Sequence, residues 1–407
     1  MTYSKTLSYL YSRLPMYQRI GAAAYKPDLN NTIVLCKLLG NPEDKFQSVH
    51  IAGTNGKGSV SHMLAAVLQS AGYKVGLYTS PHLKDFRERI RINGRMIPKN
   101  YVVKFVQRYK NEFEKISPSF FEWTVGLAFH YFAEKKVDIA VIETGLGGRL
   151  DSTNVITPLL SIITNISYDH QNLLGDTLSK IAAEKAGIIK QNGIVIVSEK
   201  QKDVKNVFED KAKEKDALLL FTGDFIFNIK HIDCGLKGKY QRKNIPTVIL
   251  ASEALHQLGL DIEPADIKKG IREVVQLTGL RGRWDILNKK PLIVADIAHN
   301  EAGIKEVFRQ VKTIPHRKLH IVFGTVNDKE LGKILPLLSK KAIYYFCQAK
   351  IPRALDALVL ASEAKKSGIH GEIYKTVKDA LSHAKKSASA KDMILVTGSA
   401  FVVAEVV

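Results

Sequence analysis

The stretch from Val49 to Gly72, VHIAGTNGKGSVSHMLAAVLQSAG, constrains this chain more than any other. An apolar run leads into a glycine-rich turn. Apolar residues then recur at helical spacing at Val60, Met63, Leu64, Val67, Leu68 and Ala71, and Gly72 is placed to end the helix. The pattern predicts a buried strand, a phosphate-binding loop and an amphipathic helix. Glycines at 53, 56 and 58 carry no Cβ, so backbone N–H groups can close around an anion. The helix start adds its unpaired N–H groups and positive dipole end. Lys57 brings a compact charge and Ser59 a hydroxyl suited to Mg²⁺. The general motif places four residues between its first glycine and the Gly-Lys pair. Here only Thr54 and Asn55 stand between Gly53 and Gly56-Lys57, so the loop is a shortened variant.

A chain of 407 residues exceeds what one core normally holds, which predicts two domains. With 45% apolar and 25% charged residues, it is neither disordered nor fibrous. The net charge of +20 favours acidic partners: nucleotides, polycarboxylates, nucleic acid or anionic lipid. Cys36, Cys234 and Cys347 are too scattered for a disulfide framework or a zinc site. No secretory or membrane-spanning run occurs, so a soluble, cytoplasmic protein is expected.

Residues 2–39 read as mixed helix, and Lys74 to Tyr78 as a second strand ending in Thr79-Ser80-Pro81-His82. The segment Lys84 to Arg95, KDFRERIRINGR, is either a solvated basic hairpin or a grip for an anion. A helix is expected from Tyr101 to Lys115, and the aromatics of Ser119 to Tyr131 read as core. Val137 to Ile142 is a strand, and Glu143 at its end, beside Gly145, Gly147 and Gly148, is a good Mg²⁺ ligand position. Leu159 to Thr164 is a strand followed by Asp169-His170 and by a helix that Asp176 could cap. His170 and Lys185 by themselves read as structural and solvated. From Leu292 onward, strands and helices alternate, implying a mostly parallel sheet. The helix of 329–338 belongs to that series. Asn288-Lys289-Lys290-Pro291 is the linker candidate, giving domains 1–288 and 289–407.

Several strings now fall into one order. The phosphate loop, Thr79-Ser80-Pro81-His82-Leu83, Glu143 to Asn154 (ETGLGGRLDSTN), Asp169-His170, Glu184-Lys185-Ala186-Gly187, Arg283 and Asp296-Ile297-Ala298-His299-Asn300 resemble the motifs of the folylpolyglutamate synthase and dihydrofolate synthase family, within the Mur ligase superfamily. The resemblance runs from near residue 50 to the C-terminus. It implies an α/β protein: a P-loop-type N-terminal ATPase domain with a mostly parallel sheet, and a smaller Rossmann-like C-terminal α/β domain. It implies that Gly53, Thr54, Asn55, Gly56, Lys57, Gly58, Ser59, Asn244, Arg283, Asp296 and His299 contact ATP. Ser80, Glu143 and His170 become magnesium ligands, Lys57, Lys185 and His170 catalytic groups, and Lys185 a site of carbamylation beside a second Mg²⁺. Phe120, Phe121, Asp151 and Ser152 become the pterin pocket. Three departures from the family's common pattern, Arg281 before Gly282-Arg283, Ile297, and Ser119 before the paired aromatics, leave the reacting groups in place and bear on loop shape.

The implied reaction is ATP-dependent ligation of L-glutamate to dihydropteroate or a reduced folate through an acyl phosphate, by a bifunctional monomer that uses neither nucleic acid nor membrane. Closure of the two domains is expected to complete the site. The alternatives are another Mur-type amino acid ligase and, from another class, a P-loop nucleic-acid-binding protein with steeply salt-dependent affinity.

Overall fold

In the computed structural model, the apolar run before the glycine-rich turn is a strand, β1 (Gln47–Ala52), buried from its second residue on. The structure describes residues 1–16, 28–327 and 331–407. The next strands along the chain are β2 (Val75–Tyr78), β3 (Ile90–Ile92), β4 (Arg95–Met96), β5 (Ile139–Glu143), β6 (Leu160–Ile163), β7 (Ile194–Val197) and β8 (Leu218–Phe221). They form one sheet in the order β4-β3-β2-β5-β1-β6-β7-β8. Its six central and far-side strands pair in parallel. A strand covered on both faces must be apolar throughout, which is why β1, β5 and β6 read as unbroken hydrophobic runs. At the other edge β2, β3 and β4 pair antiparallel. The β3–β4 turn is Asn93-Gly94, with φ of 44° and 72°, the paired positive angles that Asn-Gly hairpins supply.

The helix after the loop runs Lys57–Ser70 and is not amphipathic: every residue from Gly58 to Leu68 is buried. Helix Pro264–Thr278 covers the side turned away from the sheet, and helix Gln241–Gln257 packs beside it against β6 and β7. Close approach requires Gly270, where an added Cβ would lie 2.5 Å from the Val67 backbone. Helix Lys99–Ile116 and helix Phe120–Glu134 cover the sheet elsewhere, and their rings interlock, with Phe113 and Trp123 centroids 4.4 Å apart.

The second sheet holds β9 (Asp285–Lys289), β10 (Leu292–Ala295), β11 (Leu319–Phe323), β12 (Ile343–Cys347), β13 (Gly371–Tyr374) and β14 (Met393–Thr397), in the order β13-β12-β11-β14-β10-β9. All pairs are parallel except β9 with β10. Buried side chains pack on both of its faces.

The chain divides into two compact units, residues 1–235 with 241–279, and residues 236–240 with 280–407. Asn288 to Pro291, expected as a linker, is the turn of the β9–β10 hairpin, with Asn288 Nδ2 donating to the Pro291 carbonyl at 2.8 Å. Thr177 rather than Asp176 caps the helix Leu178–Ala186, accepting from the Lys180 N–H. The helix expected over 329–338 is Leu331–Ile334 followed by a 3₁₀ turn through Pro336, whose missing N–H cannot continue the α-helical ladder. Residues 329 and 330 lie outside the described residues, as do 17–27 of the expected N-terminal helical segment, which otherwise forms helices Tyr3–Arg13 and Asn30–Leu38. No helix among the described residues is long and apolar enough to cross a membrane.

Candidate active site

The parallel strands β1, β2, β5 and β6 end at the same edge, and β1 stands where the strand order reverses, with β5 on one side and β6 on the other. In an open α/β sheet the ligand crevice lies at that place. The phosphate loop fills it. Gly53 has φ 143°, and a Cβ there would fall 1.8 Å from Thr164 Oγ1. At Gly56, φ is 95° and a Cβ would meet Asn244 Oδ1 at 2.8 Å. The loop is pinned from the end of β6: Thr54 N donates to the Asn165 carbonyl at 2.7 Å, and Thr164 Oγ1 donates to the Asn55 carbonyl at 2.8 Å. Ser167 N donates to Thr54 Oγ1 at 3.1 Å. Buried Ser59 accepts from Gln241 Nε2 at 3.1 Å, and Asn244 Nδ2 donates to Gln241 Oε1 at 2.8 Å. Asn244 is therefore joined to the loop through Gln241. Gln241 and Thr164 carry no distinctive sequence signal beyond following a turn and ending a strand.

Two lysines meet in the loop. Lys57 Nζ and Lys185 Nζ each donate to the Gly53 carbonyl at 2.9 Å, and Lys57 also reaches the Thr54 carbonyl at 3.3 Å. Lys185 is buried, contrary to the solvated reading of a lone helical lysine. Burial first, and then the neighbouring Lys57 charge, push its amine down to about 7, against the opposing pull of Asp169, Asp151 and Glu184. An amine that is substantially neutral at neutral pH can act as a nucleophile, which an ordinary ammonium cannot.

Glu143 ends β5 and is buried, and Ser80 N donates to its Oε2 at 3.3 Å. The structure thus brings Ser80 and Glu143 together from adjacent strands. His170 comes from the loop after β6, where φ of 52° turns the chain into helix Gln171–Leu174. Its N–H donates to Asp169 Oδ1 at 3.0 Å, and its Nε2 lies 3.8 Å from the same oxygen. Among the described residues no three His, Cys, Asp or Glu side chains converge as a metal cluster. A hydroxyl and a carboxylate at neighbouring strand ends nevertheless suit Mg²⁺, which takes few protein ligands and leaves other positions to water and phosphate.

The paired aromatics diverge. Ser119 caps their helix by accepting from Glu122 N at 3.2 Å, so serine performs the capping that threonine would. Phe120 is buried beneath the Arg89 guanidinium, 5.3 Å from its ring centroid. Phe121 is half-buried against Gly145, where a Cβ would come 2.4 Å from Cζ of the ring. Asp151 accepts from Gly145 N and Leu146 N at 2.8 Å and from Thr153 N at 3.0 Å, so its carboxylate shapes the loop in front of Phe121. Burial pushes that carboxyl up, and these hydrogen bonds oppose the shift. Ser152 opens the 3₁₀ turn Ser152–Val155. The basic hairpin is not solvated at its centre: Arg89 and Arg91 are buried.

In the second unit, buried Asp296 follows β10. Its Oδ2 accepts from Tyr240 Oη at 2.6 Å and Trp284 N at 2.8 Å, and its Oδ1 from Ala298 N at 3.0 Å. Burial pushes the carboxyl up, opposed by these bonds and by the charge of half-buried Arg283. His299 Nδ1 lies 2.9 Å from the Ile297 carbonyl, which assigns the proton to Nδ1. Asn300 caps helix Glu301–Val311 by accepting from Gly303 N at 2.9 Å. Asp296, Arg283 and His299 thus share one loop cluster, and Tyr240 is the member that sequence reasoning missed.

Two family models match this chain: the Mur ligase middle domain over residues 51–245 and the Mur ligase glutamate ligase domain over residues 282–400. The dihydrofolate synthase/folylpolyglutamate synthase of Bacillus subtilis is 32% identical over 413 residues, covering 94% of this chain and 94% of that protein. The chain belongs to the dihydrofolate synthase/folylpolyglutamate synthase family. A probable bifunctional folylpolyglutamate synthase/dihydropteroate synthase of Haloferax volcanii is also 32% identical, over 93% of this chain, which spans only 48% of that relative's length. Among solved structures, E. coli FolC in complex with DHPP and ADP superimposes with TM-score 0.88 at 28% identity, covering 100% of this chain and 97% of that one. A Yersinia pestis bifunctional folylpolyglutamate synthase/dihydrofolate synthase complexed with AMPPNP and Mn ion gives 0.84 at 26% identity, with coverage of 100% and 97%. This synthase-family chain therefore has the two-domain α/β fold that the family resemblance implied, and it is a Mur-type ligase.

Proposed function

We propose that the chain joins L-glutamate to the carboxylate of a pterin or folate acceptor, driven by ATP, converting dihydropteroate to dihydrofolate and reduced folates to folylpolyglutamates. The observation that carries this reading is the convergence of Lys57 and Lys185 on the Gly53 carbonyl, inside a glycine loop at the switch point of the sheet. An acceptor carboxylate oxygen attacks the γ-phosphorus, the bond to the β-phosphate oxygen breaks, and ADP leaves. The glutamate amine then attacks the acyl carbon, loses a proton, and inorganic phosphate departs. Bringing a carboxylate to a phosphate opposes negative charges, so the protein's task is positioning and neutralisation.

The loop N–H groups and Lys57 bind and orient the phosphates. Ser80, Glu143 and His170 would hold a divalent cation, which when bound supplies charge neutralisation at the γ-phosphate. Asn244, Arg283, Asp296 and His299 contribute to nucleotide contact. Phe121, Ser152 and the loop held by Asp151 shape the acceptor pocket, with Phe120 behind them. A lysine amine with its pKa lowered to about 7 beside the Lys57 charge is suited to carbamylation, in which its nitrogen attacks CO₂ and releases a proton, and the carbamate would then be an anionic ligand able to hold a second Mg²⁺.

ADP release measured with dihydropteroate plus glutamate, and separately with tetrahydrofolate plus glutamate, tests the assignment. Turnover with both acceptors supports a bifunctional enzyme, and turnover with one makes it monofunctional. Silence with both, while another acceptor and amino acid release ADP, would assign the chain to a different Mur-type reaction.

A further inference from the structure

We infer that Arg89 is a positioning residue for the metal-binding turn: it clamps Thr79 and His82 at the two ends of that turn and so sets Ser80 against Glu143. The inference rests on the reading that Ser80 and Glu143 hold the divalent cation. The Arg89 carbonyl accepts from Thr79 N at 3.0 Å, and its Nε donates to His82 Nδ1 at 2.7 Å. The main chain at Arg89 therefore holds the turn where it leaves β2, as any residue's carbonyl would, and the arginine side chain adds the hold past Pro81. Between these anchors, Ser80 N donates to Glu143 Oε2 at 3.3 Å.

The acceptor of the side-chain clamp is itself fixed. The His82 ring lies 6.4 Å from the rings of both Tyr11 and Phe86, and Phe86 in turn packs at 5.9 Å on Phe120. Below, the guanidinium rests on Phe120. Arg89 is only 1% exposed, no carboxylate forms an ion pair with it among the described residues, and besides His82 the buried Tyr78 hydroxyl is the polar group that acts on it most strongly. A buried guanidinium in this condition is costly, whereas an apolar side chain of similar size would pack there without desolvating a charge. The arginine is thus better explained by what it holds than by core stability.

The test uses the full-length enzyme with Arg89→Leu, Arg89→Lys, His82→Ala, the Arg89→Leu/His82→Ala double variant, and Glu143→Gln as a control. ADP release is measured against free Mg²⁺ and Mn²⁺ at saturating ATP, and Mn²⁺ binding by electron paramagnetic resonance with a non-hydrolysable ATP analogue. Residues that orient metal ligands typically change metal affinity by about 10- to 100-fold. Both Arg89 variants should raise the half-saturating metal concentration by about tenfold, lower kcat at saturating metal much less, and leave the double variant no worse than the poorer single. Arg89→Lys retains the charge and carries the test if Arg89→Leu does not fold. A fall in kcat with unchanged metal dependence overturns the inference, and additive losses overturn the route through His82. If Glu143→Gln binds Mn²⁺ as the unaltered protein does, the metal reading itself fails. If that control loses Mn²⁺ while the Arg89 variants keep it, only the present inference falls.

Discussion

A methyl group at residue 53 has nowhere to go. Gly53→Ala would place Cβ 1.8 Å from Thr164 Oγ1 at a φ of 143°, so either the loop or the end of β6 must move. Strain of this kind costs on the order of 1–3 kcal/mol. The variant should lose about that much in urea denaturation and bind ATP far more weakly by titration calorimetry. Adding Thr164→Ala removes the oxygen but not the positive φ, so it should recover part of the loss and not all. Lys185 behaves differently, because its strain is electrostatic. Its folded value of about 7 lies below the ordinary lysine value near 10.5, so between those limits the unfolded chain binds more protons than the folded one. This group therefore makes stability rise with pH across that window, and its full penalty applies below about pH 7. Lys185→Met should raise the melting temperature relative to the unaltered protein at pH 6, and the advantage should shrink toward pH 10. A difference independent of pH would reject the depressed amine. Since the same substitution removes the proposed carbamylation site, activity and its response to added bicarbonate should both be lost.

Among the elements, the buried helix Lys57–Ser70 governs how exactly its neighbours must fit. Gly270→Ala would drive a Cβ to 2.5 Å from the Val67 backbone, and a backbone cannot rotate aside. Overpacking typically costs about 1–3 kcal/mol. A drop of that size in chemical denaturation is expected, together with a raised KM for ATP because this helix carries the phosphate loop at its start. A loss of stability with unchanged KM would show that helix and loop are uncoupled. The apolar runs of β1, β5 and β6 were readable because strands covered on both faces admit little else. The meeting of Ser80 with Glu143 was legible because both stand at the carboxyl ends of parallel strands, where ligand crevices lie. The helix's second buried face was hidden, since its cover comes from residues 241–278, far along the chain. Strand β9 escaped notice because it is a short, half-exposed edge with the polar pattern of a loop. Arg89 lay in an arginine-rich run where composition points to solvent, and only the tertiary packing of Phe120 and His82 distinguishes it from Arg87.

For the whole molecule, the turn chemistry of Asn288 to Pro291 reads equally as linker or hairpin, and pairing of β9 with β10 decides for the hairpin. Net charge is subject to no such ambiguity: +20 is present however the chain folds. What it is used for can be separated by salt. Charges farther apart than a Debye length, about 10 Å at 0.1 M, interact weakly, so a ligand with many carboxylates feels salt more than a ligand with one. If the positive field serves a growing glutamate tail, KM for a triglutamate folate should rise several-fold between about 50 and 300 mM salt, while KM for dihydropteroate should change less than about twofold. Initial rates of ADP release at each salt concentration measure both. Parallel salt slopes for the two acceptors would mean that the field acts on the nucleotide alone. Titration with single-stranded polynucleotide under the same conditions supplies the comparison, because phosphate-backbone binding loses affinity steeply with salt. A ligase whose charge steers tails should leave polynucleotide unbound at 150 mM salt, about physiological ionic strength, where the triglutamate substrate still turns over.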